Sequence, residues 1–213
     1  MATVRGRFRL CYITDRHQLP PASLLLRIKE AVHAGLDLVQ IREKDLPTPE
    51  LLELVAAAVE ATGRGESAAS RIVVNDRLDV AWAAGAQGVH LGTRSLPAQV
   101  VRGMVSSDFL VGVSCHSLQE AVAAESAGAD YLVLGPVFET PSKLAFGPPL
   151  GLGTVQEVTS RIRIPVLALG GITRERVRAC REAGASGVAG IRIFQKCASL
   201  GALVTELRAL FTA

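Results

Sequence analysis

Four phrases of one form recur along the chain: Ala34-Gly35-Leu36-Asp37-Leu38-Val39, Ala84-Gly85-Ala86-Gln87-Gly88-Val89, Ala127-Gly128-Ala129-Asp130-Tyr131-Leu132 and Ala183-Gly184-Ala185-Ser186-Gly187-Val188. Each reads as a helix end, a glycine suited to the left-handed position after it, and the start of a strand. They introduce the second, fourth, sixth and eighth of eight short apolar runs. The runs lie near Leu10–Thr14, Leu38–Arg42, Ile72–Asn75, Gly88–Leu91, Leu110–Ser114, Tyr131–Gly135, Val166–Leu169 and Gly187–Ile191. The repeating unit is therefore two βα pairs, and four units give eight strands, the number that closes a parallel barrel. A doubly wound open sheet also alternates strands and helices, but it gives no reason for a fourfold echo. The expected fold is a (βα)8 TIM barrel, one domain over residues 1–213.

Helical periodicity fills the gaps at Pro20–Ala34, Thr48–Thr62, Ser117–Ala127 and Thr173–Ala183, with apolar residues three and four apart. Ser117 stands three before Glu120, and Thr173 three before Arg176 with Glu175 in the first turn, as helix starts require. The polar, glycine-containing stretch 63–70 reads as a loop. Hydrophobic residues make up 49% of the 213 and mean hydropathy is +0.31. That richness fits either a membrane protein or parallel strands apolar on both faces. The longest apolar runs, Tyr131–Leu134 and Val166–Leu169, are far too short to cross a bilayer, which decides for the second.

The 23 basic and 20 acidic residues are mixed along the chain and leave a net charge of +3. There is no Lys/Arg block, and aromatics are only 4%, so a nucleic-acid partner is not expected. Arg5, Arg7 and Arg9 read as a solvated strand edge. Cys11, Cys115, Cys180 and Cys197 form no CxxC pair and no metal spacing, which points to buried free thiols in a reducing cytoplasm. The N-terminus has no signal-peptide pattern. A cytoplasmic protein off the membrane is expected, and a homodimer is compatible with the sequence.

A parallel barrel gathers its reactive groups at the C-terminal ends of its strands, so polar residues should concentrate just after each apolar run. They do. Gln40, Arg42 and Lys44 are spaced by two after the second run and leave the strand on one side. Two cations and an amide suit an anionic ligand; the bland alternative is an ion-pair network with Glu43 or Asp45. Asn75-Asp76 after the third run can orient a ligand amide or hold a hard cation, and Asp76 can equally cap a helix over Arg77–Ala84. His90 reads as a supporting residue behind the pocket. After the fifth run come Ser114, Cys115 and His116, with His116 placed for proton transfer. Cys115 then faces the other way, which argues against a catalytic Cys–His pair. Thr140, Ser142 and Lys143 suit phosphate oxygens within a shaped loop over Phe138–Pro149. Gly170-Gly171 after the seventh run and Gly190-Ile191 at the eighth read as the phosphate site of the barrel.

These marks together resemble the thiamine phosphate synthase family and its close relatives, the TenI-like thiazole tautomerases. The likeness runs from Tyr12-Ile13-Thr14-Asp15 to Ile193. It rests on Gln40-x-Arg42-x-Lys44, Asn75-Asp76, Gly88-Val89-His90-Leu91-Gly92, Gly112-Val113-Ser114-Cys115-His116-Ser117, Gly135-Pro136-Val137-Phe138, Thr140-x-Ser142-Lys143 and Gly170-Gly171-Ile172. In the synthase a pyrimidine pyrophosphate loses pyrophosphate, and a thiazole phosphate nitrogen captures the cation. The resemblance implies that Gln40, Arg42, Lys44, Asn75, Thr140 and Lys143, with Ser114 and Ser142, bind pyrimidine and pyrophosphate. It gives the thiazole phosphate to Gly170, Gly171, Gly190, Ile191 and Arg192, and Mg²⁺ to Asp76.

The sequence departs from the synthase pattern in three places. Ser95 stands where the synthase has a second acidic metal ligand, with Arg94 beside it. Ser142 replaces the usual second threonine of the sixth loop, and Arg192 replaces a small residue. The tautomerase branch uses no metal and moves a proton with a histidine at the position of His116. Val137-Phe138-Glu139-Thr140 is closer to that branch, whereas Gln40-x-Arg42-x-Lys44 and Asn75-Asp76 keep the synthase form. From the sequence, the tautomerase leads, with the synthase second and a non-catalytic ligand-binding regulator third.

Overall fold

Each recurring Ala-Gly phrase turns a helix into a strand by the same contacts in a computed structural model, which describes residues 8–63, 70–140 and 148–212. The glycines are left-handed, with φ of 78° at Gly35, 70° at Gly85, 85° at Gly128 and 91° at Gly184, where a side chain is strained. The following N–H reaches back into the helix: Leu36 to the Ala31 carbonyl at 3.2 Å, Ala86 to Ala81 at 2.8 Å, Ala129 to Ala124 at 3.1 Å and Ala185 to Cys180 at 3.0 Å. This closure satisfies carbonyls that a helix end leaves open.

The fourth residue of each phrase then acts through its side chain. Asp37 Oδ2 accepts from Leu10 N at 2.9 Å, and Gln87 Oε1 from Ile72 N at 2.7 Å. Asp130 Oδ2 accepts from Val111 N at 2.8 Å, and Ser186 Oγ from Val166 N at 3.4 Å. Each contact ties a strand to the base of the one before it. The echo thus encodes strand pairing as well as helix termination.

The strands are β1 (Leu10–Ile13), β2 (Leu38–Ile41), β3 (Arg71–Asn75), β4 (Gly88–Leu91), β5 (Leu110–Cys115), β6 (Tyr131–Leu134), β7 (Val166–Leu169) and β8 (Gly187–Gly190). Each pairs in parallel with the next, and β8 pairs with β1, so the sheet is a closed barrel. The helices among the described residues are α1 (Leu24–His33), α2 (Thr48–Ala61), α3 (Leu78–Ala83), α4 (Ala98–Met104), α5 (Leu118–Ser126), α6 (Gly151–Arg161), α7 (Arg174–Glu182), α8 (Arg192–Gln195) and α9 (Leu200–Thr212). None of them is long and apolar enough to cross a membrane. The expected TIM barrel is the fold observed.

Alternation along the strands builds two apolar layers. Cys11, Ile13, Leu38, Val73, Tyr131, Val133, Leu167 and Ala189 fill the barrel interior. Leu10, Tyr12, Val39, Ile72, Val74, Leu132, Val166 and Val188 face outward and pack against the helices. Leu78, Val89, Leu91, Val101 and Val111 form a smaller cluster beside α3 and α4.

Three expectations need correction. The first helix starts at Leu24 rather than Pro20, because Pro20 and Pro21 disfavour the helical conformation before them and Ala22 turns with φ of 60°. The eighth strand stops at Gly190, and Ile191 already caps α8. Asp76 does not cap the third helix: α3 has Arg77 at its cap position without a side-chain bond, while Asp76 has φ of 63°. Ser117 does cap α5, accepting from Glu120 N at 3.1 Å. Arg5, Arg7 and most of the 63–70 loop lie outside the described residues.

Candidate active site

Closure of the barrel places the ends of all eight strands on one rim. Arg42 follows β2 directly, His116 follows β5 directly, and Gly171 stands two residues past β7. On one side of the rim a hydrogen-bond chain runs across three strands. Gln40 Nε2 donates to Asn75 Oδ1 at 3.0 Å, and Asn75 Nδ2 donates to Asp76 Oδ2 at 2.7 Å. The Ser95 hydroxyl donates to Asp76 Oδ1 and accepts from Gly92 N at 2.7 Å. Gln40 is 2% exposed, and its Oε1 has no partner among the described residues. A buried carbonyl without a donor is costly, so this atom is placed to receive an N–H from a ligand.

The ion-pair network weighed from the sequence does form, but on the opposite face of the segment. Glu43, 4% exposed, accepts from Thr14 Oγ1 at 2.6 Å and Arg16 N at 3.1 Å. Asp45 is held by Arg16 at 2.5 and 2.7 Å and by His17 at 3.0 Å. The Arg16 guanidinium keeps the Asp45 carboxyl below the usual carboxylate range. Arg16 thus consumes both carboxylates, and among the described residues none pairs with Arg42. Arg42 itself is half-buried, its N–H fixed by Thr14 Oγ1 at 2.9 Å. Lys44 is exposed beside it. A cleft of ≈ 550 Å³ is lined by Arg16, His17, Leu19, Pro20, Leu46 and Leu54, from the segments that follow β1 and β2, and includes none of the strand-tip residues Gln40, Arg42, Asn75 and Asp76.

On the far side, Gly170 and Gly171 have φ of 97° and 62°. The segment after β6 lies on them: Val137 N donates to Leu169 O at 2.7 Å and Phe138 N to Gly170 O at 3.1 Å. The Gly171 and Arg192 N–H groups meet no backbone carbonyl among the described residues, which leaves donors for an anion. Arg176, which sequence reasoning treated only as part of a helix start, stacks 4.7 Å from the Phe138 ring centre and donates to Gly171 O at 2.7 Å. Its signal was its place in the first turn after the Gly-Gly pair. Gly190 is buried against the Ile193 side chain, and Arg192 is exposed. Thr140 is half-buried. Ser142, Lys143 and the middle of the Phe138–Pro149 loop lie outside the described residues.

His116 is exposed, and its Nδ1 meets the Gly135 carbonyl. A carbonyl only accepts, so Nδ1 is the donor, and in the neutral ring the lone pair is on Nε2. Cys115 faces the outer layer, and burial pushes its thiol up to about 12. It is no nucleophile.

His90 and Tyr131 are inside the barrel, 2% and 0% exposed. His90 Nε2 is 2.8 Å from Ser114 Oγ and Nδ1 is 3.2 Å from Tyr131 OH. Burial lowers the His90 pKa to about 4, against a weaker opposing pull from Asp76 and a small lowering by Arg42. The unfolded chain takes up this proton near pH 6.5 and the folded chain only near 4, so folding stability falls as pH drops between these values. The expected loss is about 3 kcal/mol at pH 4, and His90→Gln should flatten the slope between pH 6.5 and 4 in urea-unfolding titrations. An unchanged slope would refute the assignment to His90.

Among the described residues no group of three or more His, Cys, Asp and Glu could hold a metal ion. Asp76 and Ser95 supply one carboxylate and one hydroxyl. A hydroxyl is a weaker ligand than the carboxylate it replaces, so a Mg²⁺ ion here would take most of its ligands from water and phosphate oxygens.

Comparison with known proteins gives consistent matches. A family profile described as thiamine monophosphate synthase (TMP-TENI) matches residues 10–194. A putative thiamine-phosphate synthase of Geobacter sulfurreducens is 47% identical over 182 residues, covering 85% of this chain and 84% of the relative. A thiamine-phosphate synthase of Clostridium novyi is 36% identical over 189 residues, covering 89% and 91%. The structure of a thiamine phosphate pyrophosphorylase from Pyrococcus furiosus superposes with a TM-score of 0.84 at 32% identity, covering 98% of each chain.

Proposed function

We propose that this chain, which belongs to the thiamine monophosphate synthase family, is a thiamine-biosynthesis enzyme that joins hydroxymethylpyrimidine pyrophosphate to thiazole phosphate. The sequence alone favoured the tautomerase. The relatives carry the synthase name, and that supports the reading placed second. The observation that carries it is the rim itself: Gln40 Oε1, without a partner among the described residues, stands on one hydrogen-bond chain with Asn75 and Asp76, next to an Arg42 that no described carboxylate claims. A site that only moves a proton on a thiazole has no use for this half of the rim.

The roles follow from chemistry. Gln40 Oε1 accepts from the pyrimidine amino group, and Asn75 holds the Gln40 amide in that orientation. Arg42 and Lys44 take pyrophosphate oxygens, joined by Thr140, Ser142 and Lys143. They stabilise the charge that builds on the leaving group as its bond to the pyrimidine breaks. Gly170, Gly171, Gly190, Ile191 and Arg192 hold the thiazole phosphate, keeping its ring nitrogen near the cation. Asp76, with Ser95 in place of a second carboxylate, would hold Mg²⁺, which neutralises pyrophosphate charge when bound.

The test is an assay with both substrates, with and without Mg²⁺. Thiamine phosphate should form and should require the metal. No product at any Mg²⁺ concentration would end the synthase reading. One observation favours the tautomerase as a second reading: His116 Nε2 meets no partner among the described residues and in the neutral ring is a base at the rim. Under that reading His116→Asn abolishes aromatisation of thiazole carboxylate phosphate; under the synthase reading it leaves thiamine phosphate formation largely intact.

A further inference from the structure

One row of register partners crosses β3, β4, β5 and β6 inside the barrel: Asn75, His90, Gly112 and Tyr131. Gly112 matters by what it lacks. A Cβ there would clash with Tyr131 Cζ and with its hydroxyl oxygen, so only glycine lets that ring lean across β5 and bring its hydroxyl to His90 Nδ1 at 3.2 Å. The other imidazole nitrogen meets Ser114 Oγ at 2.8 Å. Ser114 is on the same inward face as Gly112, two residues nearer the mouth, and is half-buried.

Hydrogen-bond bookkeeping gives this row a direction. Imidazole buried in its neutral form has one N–H and one lone pair. The Tyr131 hydroxyl is fully buried and has no partner other than His90 among the described residues. If Nδ1 carried the proton, the phenolic O–H would have no acceptor, a costly state for a buried donor. Tyr131 therefore donates to Nδ1, Nε2 carries the proton, and Nε2–H donates to Ser114 Oγ. Ser114 Oγ accepts from His90 through one of its two lone pairs, so its own O–H is not spent on His90 and is free to donate toward the mouth.

We propose that Tyr131, His90 and Gly112 are positioning residues that fix the Ser114 hydroxyl as a hydrogen-bond donor for an acceptor atom of the bound substrate. The ligand that uses this donor presents a lone pair at that place, a heteroaromatic ring nitrogen or a phosphoryl oxygen. Gln40 Oε1 has the complementary role of an acceptor, so the two ends of the pocket read opposite polarities on one ring. The inference rests on the proposed function only for which substrate supplies the acceptor; the polarity of the row is a property of the ligand-free protein.

The experiment is nitrogen-15 NMR of the histidine side chains in the free protein. One histidine should show the Nε2–H tautomer with Nδ1 unprotonated. Tyr131→Phe should mix or reverse its tautomers, because the donor that sets them is gone. Ser114→Ala should leave the tautomer unchanged, because Ser114 only receives from His90 and does not set its proton. A wild-type Nδ1–H tautomer or a mixture overturns the proposal, as does a tautomer that follows Ser114 rather than Tyr131. If Tyr131→Phe fails to fold, the wild-type tautomer still decides. In the two-substrate assay, Tyr131→Phe should raise KM for the pyrimidine pyrophosphate by about fivefold, the worth of one misdirected hydrogen bond, with KM for thiazole phosphate unchanged. The NMR result stands whether or not product forms, so failure of the synthase reading and failure of this one are told apart.

Discussion

Arg42→Met should lower kcat/KM for thiamine phosphate formation by about 10²–10³-fold, the cost of removing one preorganised charge from a developing anion. The residue is built for that task. Thr14 pins its N–H at 2.9 Å, and Arg16 absorbs Glu43 and Asp45, the carboxylates that would otherwise neutralise it. Methionine keeps the stem that packs along the rim while deleting the charge, so thermal unfolding should change little. Arg42→Lys should recover only part of the loss, because a point charge cannot grip two oxygens as a planar fork does. Steady-state kinetics decide the matter. If Arg42→Met stays within about threefold of the parent, less than one ordinary hydrogen bond is worth, the cation has no part in leaving-group departure.

The second large effect is expected at Gly171. Its φ of 62° and its contacts exclude a side chain: a Cβ there would be 2.6 Å from Glu139 O and 2.8 Å from Phe138 Cβ. Gly171→Ala must push the segment after β6 off the Gly-Gly pair. It thereby displaces the N–H that offers itself to phosphate and the carbonyl that Arg176 holds. The expected result is a rise of about tenfold to a hundredfold in KM for thiazole phosphate, with KM for the pyrimidine substrate little changed. Stability should fall by about 1–3 kcal/mol. Gly103→Ala is the control. That glycine is in α4 with open space around it, where alanine is the better helix former by about 1 kcal/mol. Equal KM values for Gly171→Ala and the parent would remove the phosphate from this loop.

Most of the barrel was legible because its signals are local. All eight strands lie at the apolar runs, the eighth one residue shorter than expected, and the four Ala-Gly phrases marked helix ends that are now seen with left-handed glycines. The start of α1 was missed because two prolines and a positive φ at Ala22 outweigh the helical periodicity around them. The two roles left open for Asp76 could not be separated from the sequence, because its partner, Ser95, is nineteen residues away and no spacing rule reaches that far. The rim residues after β2, β3, β5 and β7 were also readable, since strand ends in a barrel have one place to go. What they are joined to was not. Arg16 taking the carboxylates beside Arg42, and Arg176 bracing the Gly-Gly pair, are long-range or cross-loop contacts with no local mark.

By itself the sequence determined the closed eight-stranded topology, since glycine conformations, helix closure and strand clasps all act within a few residues or between neighbouring strands. The tertiary structure alone decided the polarity of the site. Which atom of Gln40 is left without a partner, and which nitrogen of His90 holds its proton, depend on Asn75, Gly112 and Tyr131 arriving at one level of the barrel from separate strands. Hydrogen bonds are satisfied in space, and only closure of the barrel sets who meets whom.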